Sequence, residues 1–157
     1  MKAENFRNLY DYHFALNRKI WDQCIVGLSE EQFKKKLGYS TGSIRNQAVH
    51  ILNVDDRWFC GLRGREIPGF INPVHLPSKD RVRSKWDEVE ANMREYLGGL
   101  IDDDIYKPFE MELEVWQVLF HVLNHGTDHR AQMLAMLNQL GSETFPQDYA
   151  FLAFGKI

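Results

Sequence analysis

The chain has 157 residues, of which 44% are hydrophobic and 26% charged, with a formal net charge of −3. This length and composition predict one soluble globular domain over residues 1–157 and exclude extensive disorder. The weak negative charge argues against nucleic-acid binding, because proteins that bind nucleic acid carry a basic patch for the phosphates.

The N-terminal stretch MKAENFRNLYDYHF interrupts its apolar residues with charged ones every few positions. A secretory signal needs an unbroken run of roughly 7–15 apolar residues, and a membrane-spanning helix needs about 18 or more. Neither run occurs in the sequence. Cys24 and Cys60 share no CxxC spacing, so both are predicted to be reduced core residues. We therefore expect a cytoplasmic protein with no membrane partner.

The first half of the chain predicts two long helices. Apolar residues at helical spacing predict the first over about residues 4–27. Ser29 and Gln32 have the spacing of a capping box and predict a short helical turn. The same periodicity predicts the second long helix over about residues 43–61, with Thr41 or Gly42 as its cap.

The second half begins with a long connection, because residues 62–77 hold two glycines and three prolines. A third helix is predicted from its cap Ser78 to the Gly98-Gly99 pair. Residues 105–112 are compatible with a brief extended piece. A fourth helix is predicted over about residues 113–140, and the apolar tail from residue 145 onward predicts a short terminal helix.

Long helices joined by loops predict an all-α fold, an antiparallel four-helix bundle with a long connection between helices 2 and 3. The fourth helix carries apolar residues on two sides, since Trp116, Phe120, Leu123 and Leu134 lie opposite its histidines. A helix that is apolar on two sides must bury both, so a subunit interface is expected there.

Three histidines, His121, His125 and His129, follow one another at four-residue intervals within this last long helix. Such spacing places their imidazoles on one side, and imidazole is the commonest metal ligand in proteins. At a rise of about 1.5 Å per residue, only a pair four apart can share one ion. His125 belongs to both possible pairs. A third ligand must come from elsewhere, and the candidates are His13, His50 and His75.

The stretch from His121 to Gln132, HVLNHGTDHRAQ, together with SIRNQAVHILNVDDRW on the second helix, resembles the DinB/YfiT-like family of bacterial metal-dependent enzymes. The resemblance implies a four-helix bundle in which three histidines bind a divalent metal, usually in a homodimer. The implied ligands here are His50, His125 and His129. Family members often have glycine where this chain has Ala131. The helical pattern alone does not select His50, which lies at the margin of the apolar stripe.

Other polar residues are expected near the site. Those predicted to line the pocket or to support the ligands are His121, His13, Tyr12, Asn17 and Asn53. Arg130 or Arg57 is suited to receive a substrate carboxylate, because arginine pairs with carboxylates in two-point contacts. The carboxylates Asp55, Asp56 and Asp128 are expected to be solvated or to support the ligands, and His75 is expected at the surface. No residue is assigned as a catalytic acid or base.

Three neutral histidines leave an open position on a zinc, nickel or similar ion, as in catalytic sites. The ion can then activate water or deprotonate a bound thiol. The resemblance implies the thiol chemistry. Some members of the wider superfamily join thiols such as bacillithiol or mycothiol to electrophiles, and one branch isomerises maleylpyruvate. We therefore expect a metal-dependent thiol S-transferase acting on a small molecule. A metal-dependent hydrolase and a non-catalytic metal-binding stress protein are the alternatives.

Overall fold

A computed structural model describes residues 1–155, in which the secondary structure is helical apart from one isolated bridge between Pro108 and Glu114. The predicted all-α class is thus confirmed. The helices are α1 (Ala3–Ile20), α2 (Glu30–Lys34), α3 (Ile44–Leu62), α4 (Lys79–Gly99), α5 (Val115–Gln139) and α6 (Tyr149–Ala153).

The helix starts follow local capping chemistry. Ser29 and Gln32 form the predicted capping box at the start of α2, each accepting a backbone N–H of the other. Helix α3 is capped by the Ser43 hydroxyl, so the prediction of Thr41 or Gly42 as its cap was wrong. The Thr41 hydroxyl instead donates to the side chain of a residue inside α3, which leaves the capping position to the serine.

The first predicted helix changes its hydrogen-bond pattern before it ends. After α1, a single π-helical stretch, Trp21–Ile25, continues the path. An extended piece over residues 105–112 is not observed, because the chain there forms 3₁₀ turns, including Glu110–Glu112, around the isolated bridge. The predicted short terminal helix is present as α6.

The four long helices pack as a bundle in which two neighbouring pairs run antiparallel. Arg7, near the start of α1, donates to the carbonyl of Leu97 near the end of α4 at 3.3 Å. Gln47, in the first turn of α3, donates to the carbonyl of His129 in the second half of α5 at 3.1 Å. These contacts set α1 against α4 and α3 against α5 with opposite directions.

The other two neighbouring pairs run parallel, a feature that the predicted antiparallel four-helix bundle did not specify. Asp56 of α3 lies 3.8 Å from Lys85 of α4, and Arg63 lies 2.7 Å from the carbonyl of Asn92 further along both helices. The hydrogen bonds between α1 and α5 also follow the same order along both helices. The long connection makes this possible, because it carries the chain back along the bundle between α3 and α4.

The core has two apolar halves separated by a buried polar layer. One half is centred on Trp21, Ile51 and Met133, and the other on Phe6 and Phe59. Between them lie buried polar side chains from all four long helices, which are His13, Asn17, Asn53, Asp55, Glu90 and Arg130. No helix among residues 1–155 is both long and apolar enough to span a bilayer. The two cysteines are free, with Cys24 buried and Cys60 half-buried.

Candidate metal centre

Three histidine side chains converge where α3 and α5 face each other beside the polar layer. His50 Nε2 lies 3.1 Å from His125 Nε2 and 3.2 Å from His129 Nε2. All three rings are half-buried, so their shared focus lies at the edge of the core rather than inside it. The structure therefore brings together the three residues that the resemblance implied as ligands.

The spacing of these nitrogens fits a tetrahedral ion. Ligand nitrogens at about 2.0–2.1 Å from zinc are separated by roughly 3.3–3.4 Å when the geometry is tetrahedral. The two measured separations, 3.1 and 3.2 Å, are close to that value. When the Nε2 atoms are unprotonated, three lone pairs face one point, an arrangement that repels without a cation and is stabilised by one.

The three rings are also held in the protonation state that a ligand needs. Burial and the neighbouring histidines lower the pKa of His125 to about 3. Burial lowers the pKa of His50 and of His129 as well. Because a metal ligates neutral imidazole, these shifts favour ligation at neutral pH.

Gln47 supports one of the rings from behind and was missed from the sequence. Its side-chain amide lies 2.7 Å from His129 Nδ1, the ring nitrogen that faces away from the cluster. The same amide nitrogen donates to the His129 backbone carbonyl at 3.1 Å, so Gln47 fixes the position of this ring relative to the backbone of α5. The available signal was spacing, because Gln47 precedes His50 by three residues and therefore shares its side of α3.

His121, the first of the three evenly spaced histidines on α5, lies outside the cluster. Its side chain is exposed and its ring packs against Trp58 with 5.2 Å between centroids. The next ring, His125, is 6.1 Å away. His121 thus connects the cluster to the aromatic end of α3. The remaining histidine, His75, is exposed on a 3₁₀ turn.

A cavity of about 260 Å³ opens beside Trp58, between the end of α3 and the loops that cover it. Its lining is mostly apolar and comprises Arg57, Trp58, Gly61, Ile67, Phe70, Phe109 and Glu110. Arg57, one of the two predicted carboxylate-binding arginines, lies with its guanidinium 4.4 Å from the centre of the Phe70 ring. It also donates to the Pro68 carbonyl, so the cation is fixed at the wall of this cavity.

Arg130, the other arginine, lies in the polar layer with only 1% of its surface exposed. It donates to His13 Nδ1 at 2.9 Å and to Asn17 Oδ1 at 3.1 Å. Its remaining donors bind Thr127 and Gln147. With its hydrogen bonds directed to the protein interior, this guanidinium is not placed to receive a substrate carboxylate.

The other residues expected near the pocket are buried rather than exposed to a ligand. Tyr12 lies beneath the Arg130 guanidinium and donates to the Gln147 backbone carbonyl. Asn53 exchanges two hydrogen bonds of 2.9 Å with the backbone of Ile71, so it anchors the long connection. These side chains therefore hold the elements around the cluster in place.

His13 is completely buried and joins two charged groups across the bundle. Its Nε2 lies 3.3 Å from Asp55 Oδ2, and Arg130 donates to its Nδ1. Because arginine can only donate, Nδ1 is the acceptor and the ring proton sits on Nε2, which faces the Asp55 carboxylate and the side-chain amide of Asn17, the latter at 3.1 Å. Asp55 was expected to be solvated or to support the ligands. It is 1% exposed, which excludes a solvated position.

The lowered histidine pKa values predict that the metal-free protein loses stability in mild acid. An unfolded histidine takes up a proton near pH 6.5, whereas folded His125 does so only near pH 3. The unfolded chain therefore binds more protons below pH 6.5, and stability decreases by up to about 1.4 kcal/mol for each pH unit of acidification for such a group. Urea unfolding with a chelator, from pH 8 to pH 5, measures this slope. His125→Gln should reduce it, and equal slopes in both proteins contradict the prediction.

Comparison with known proteins places these features in a wider group. The model of the DinB family matches residues 1–156. Protein DinB of Bacillus subtilis (strain 168) is 24% identical over 159 residues, covering 93% of this chain and 92% of that protein. A crystal structure of a DinB-like protein from Bacillus cereus ATCC 10987 is similar in fold, with a TM-score of 0.77 and 20% identity over 94% of this chain and 98% of the other.

Proposed function

The chain belongs to the DinB family, and from this premise we propose that it is a divalent-metal-dependent transferase that joins a low-molecular-weight thiol to an electrophile. The convergence of three histidines carries the proposal, with His50 Nε2 at 3.1 Å and 3.2 Å from the Nε2 atoms of the other two. Zinc or nickel suits such a nitrogen set. When bound, the ion would remove the proton of a coordinating thiol and so supply a thiolate.

The arrangement of ligands supports catalysis over a purely structural role. Structural zinc sites are closed by four protein ligands, whereas catalytic sites keep one position for water or substrate. Among the residues that the structure describes, the cluster contains three ligand candidates, His50, His125 and His129, and all are half-buried. An ion held by these three rings would keep a further position for a small molecule.

The aromatic cavity beside Trp58 supports an apolar electrophile as the second substrate. Trp58 contacts His121, which in turn neighbours His125, so a row of rings leads from the cavity to the cluster. In the proposed reaction the thiol loses its proton, its sulfur forms a bond to an electrophilic carbon, and the leaving group departs with the electrons of its bond to that carbon. Arg57 at the cavity wall is placed to attract an anionic group on the substrate.

Metal content tests the first half of the proposal. Protein purified without an affinity tag should contain about one divalent ion per chain, and His129→Ala should lose it, because two remaining histidines cannot complete the site. His121→Ala, which replaces a histidine of the same four-residue repeat, is the matched control and should retain the ion. Elemental analysis measures both, and an unchanged metal content in His129→Ala contradicts this ligand set.

Thiol-dependent turnover tests the second half. Conjugation of bacillithiol or glutathione to a fluorogenic electrophile should require both the ion and the thiol, and a chelator should abolish it. Turnover without thiol would instead indicate a metal-dependent hydrolase. A metal-loaded protein that turns over no substrate in either assay would indicate a non-catalytic metal-binding protein.

The proposal extends to assembly and location. A homodimer is supported by Phe120, which is 53% exposed on the side of α5 away from the cluster. Light scattering at micromolar concentration tests it, since a mass of one chain excludes the dimer. A cytoplasmic location is supported by the free cysteines Cys24 and Cys60, because thiols stay reduced in that compartment.

A further inference from the structure

Asp55 is a buried carboxylate whose hydrogen bonding is incomplete. Its side chain is 1% exposed, and its Oδ2 lies 3.3 Å from the proton-bearing Nε2 of His13. Its other oxygen, Oδ1, is buried and has no hydrogen-bond partner among the described residues. Buried polar atoms in folded proteins are normally paired. Oδ1 therefore needs a hydrogen-bond donor other than His13, whose N–H faces Oδ2.

A matching unpaired donor lies in the candidate metal centre. When His125 ligates through Nε2, its proton sits on Nδ1, and this atom is also buried without a partner among the described residues. The other ring on α5, His129, has its Nδ1 at 2.7 Å from Gln47. Metal-bound histidines almost always donate this second N–H to a carboxylate, a carbonyl or water. Within the cluster, His125 is thus the ring that needs an acceptor.

Asp55 belongs to the same neighbourhood as these rings. It follows His50 by five residues on α3, so the two residues lie on consecutive turns of one helix. His13, which contacts Asp55 Oδ2 at 3.3 Å, also packs against Gly126, the residue after His125, where a Cβ would lie 2.4 Å from the His13 ring. Asp55 therefore stands behind the cluster, on the side of the buried polar layer, and not at its solvent side.

We propose that Asp55 is a positioning residue of the metal centre, whose Oδ1 accepts the Nδ1–H of His125 through water and whose charge offsets that of the bound ion. The charge argument is independent of the hydrogen bond. Three neutral histidines bring no negative charge to a divalent ion, and a buried carboxylate nearby acts with little screening. Asp128, the other acidic residue near the ligands, is exposed and accepts a hydrogen bond from Gln132.

The inference rests on the metal binding in the proposed function and not on the transferase reaction. Its test is the zinc dissociation constant, measured by competition with a chromogenic chelator in the absence of any thiol. Asp55→Asn keeps the shape of the side chain and removes its charge. We expect zinc binding to weaken about 10–100-fold, the usual effect of losing such a supporting group.

Asp56→Asn is the matched control on the same helix. Asp56 is half-buried and lies 3.8 Å from Lys85 on the opposite side, toward α4. The zinc dissociation constant of the Asp56→Asn protein should stay within about threefold of the wild-type value. Asp55→Glu, which retains the charge, should recover part of the lost affinity.

The outcomes separate the inference from its premise. A wild-type protein that binds no zinc overturns both. Wild-type and Asp55→Asn proteins that bind zinc equally well overturn the role of Asp55 and leave the ligand set intact. A purely structural role for Asp55 predicts a lower melting temperature in chelator with unchanged zinc affinity of the folded variant, and that result also overturns the inference.

The zinc-bound wild-type protein decides the question if Asp55→Asn does not fold. A crystal structure should show water linking His125 Nδ1 to Asp55 Oδ1. A different acceptor on Nδ1, or a His125 ring turned to ligate through Nδ1, overturns the inference.

Discussion

Arg130→Met is expected to lower the free energy of unfolding by about 3–5 kcal/mol, the range for removing one partner of a buried charged network. Methionine keeps the apolar stem and removes the cation together with all of its donors. Burial lowers the pKa of Arg130 only to about 10, so the side chain is charged at neutral pH. Its loss leaves His13 Nδ1 and Asn17 Oδ1, both on buried side chains, without this donor.

The network makes this effect larger than that of one hydrogen bond. The His13 ring connects the charges of Arg130 and Asp55. Arg130 donates a hydrogen bond to its Nδ1, and its Nε2–H faces the Asp55 carboxylate. Removing the arginine therefore leaves the buried Asp55 carboxylate without the cation that offsets it through His13. Losses of several kcal/mol follow from such uncompensated charges, whereas exposed ion pairs contribute 0–1 kcal/mol.

Arg83→Met provides the matched control for this measurement. Arg83 pairs with Asp87 at 3.0 Å and with Asp22 at 3.1 Å on the surface of α4, and both carboxylate side chains are more than half exposed. Its replacement should cost less than about 1 kcal/mol. Urea unfolding of both variants in chelator gives the two values. Similar, small losses for both would mean that the buried network contributes no more than a surface pair.

The sequence predicted the helices well because their determinants are local. Apolar spacing and capping residues located all four long helices to within a few residues, and Ser29 with Gln32 located the short one. The parallel packing of α3 against α4 could not be predicted in this way. It depends on which faces meet across the bundle, and contacts such as that between Arg63 and Asn92 join residues far apart in the chain.

The part of the site that could be predicted from the sequence is the repeat of histidines along one helix. The spacing of His125 and His129 is visible in the sequence, whereas His50 required the family resemblance, since a ligand at the edge of the core lies at the margin of the apolar stripe. On the first helix His13 shares the apolar stripe of Leu9 and Leu16, and in the structure it is fully buried. Periodicity could not reveal Asp55 as its partner, because the two residues lie on different helices, 42 positions apart.

Gly126 is the position where the backbone of α5 and the polar layer come closest. A Cβ placed there would lie 2.4 Å from His13 Cε1 and 2.7 Å from its Nδ1. Real Cβ atoms do not approach neighbours so closely, and the His13 ring is not free to withdraw. It is completely buried and is held at its two nitrogens by Arg130 and Asp55. Glycine at this site is therefore required by the close approach of the ring.

Gly126→Ala is accordingly expected to destabilise the protein by about 1–3 kcal/mol, the cost of overpacking a well-ordered core, despite a gain in helix propensity of about 1 kcal/mol. Gly98→Ala in α4 isolates that gain, because a Cβ there meets nothing within 4 Å. It should be neutral or slightly stabilising. Urea unfolding in chelator measures both variants, and a Gly126→Ala protein as stable as Gly98→Ala contradicts the position of His13.

The same substitution connects the core to the metal centre. A methyl group at position 126 displaces His13, and His13 is the group that fixes Oδ2 of Asp55. If Asp55 supports His125 as proposed, Gly126→Ala should weaken zinc binding as well as folding, although it changes no ligand. Gly98→Ala should leave the zinc dissociation constant unchanged. A Gly126→Ala protein that is destabilised but binds zinc like the wild type would show that the polar layer serves the fold alone.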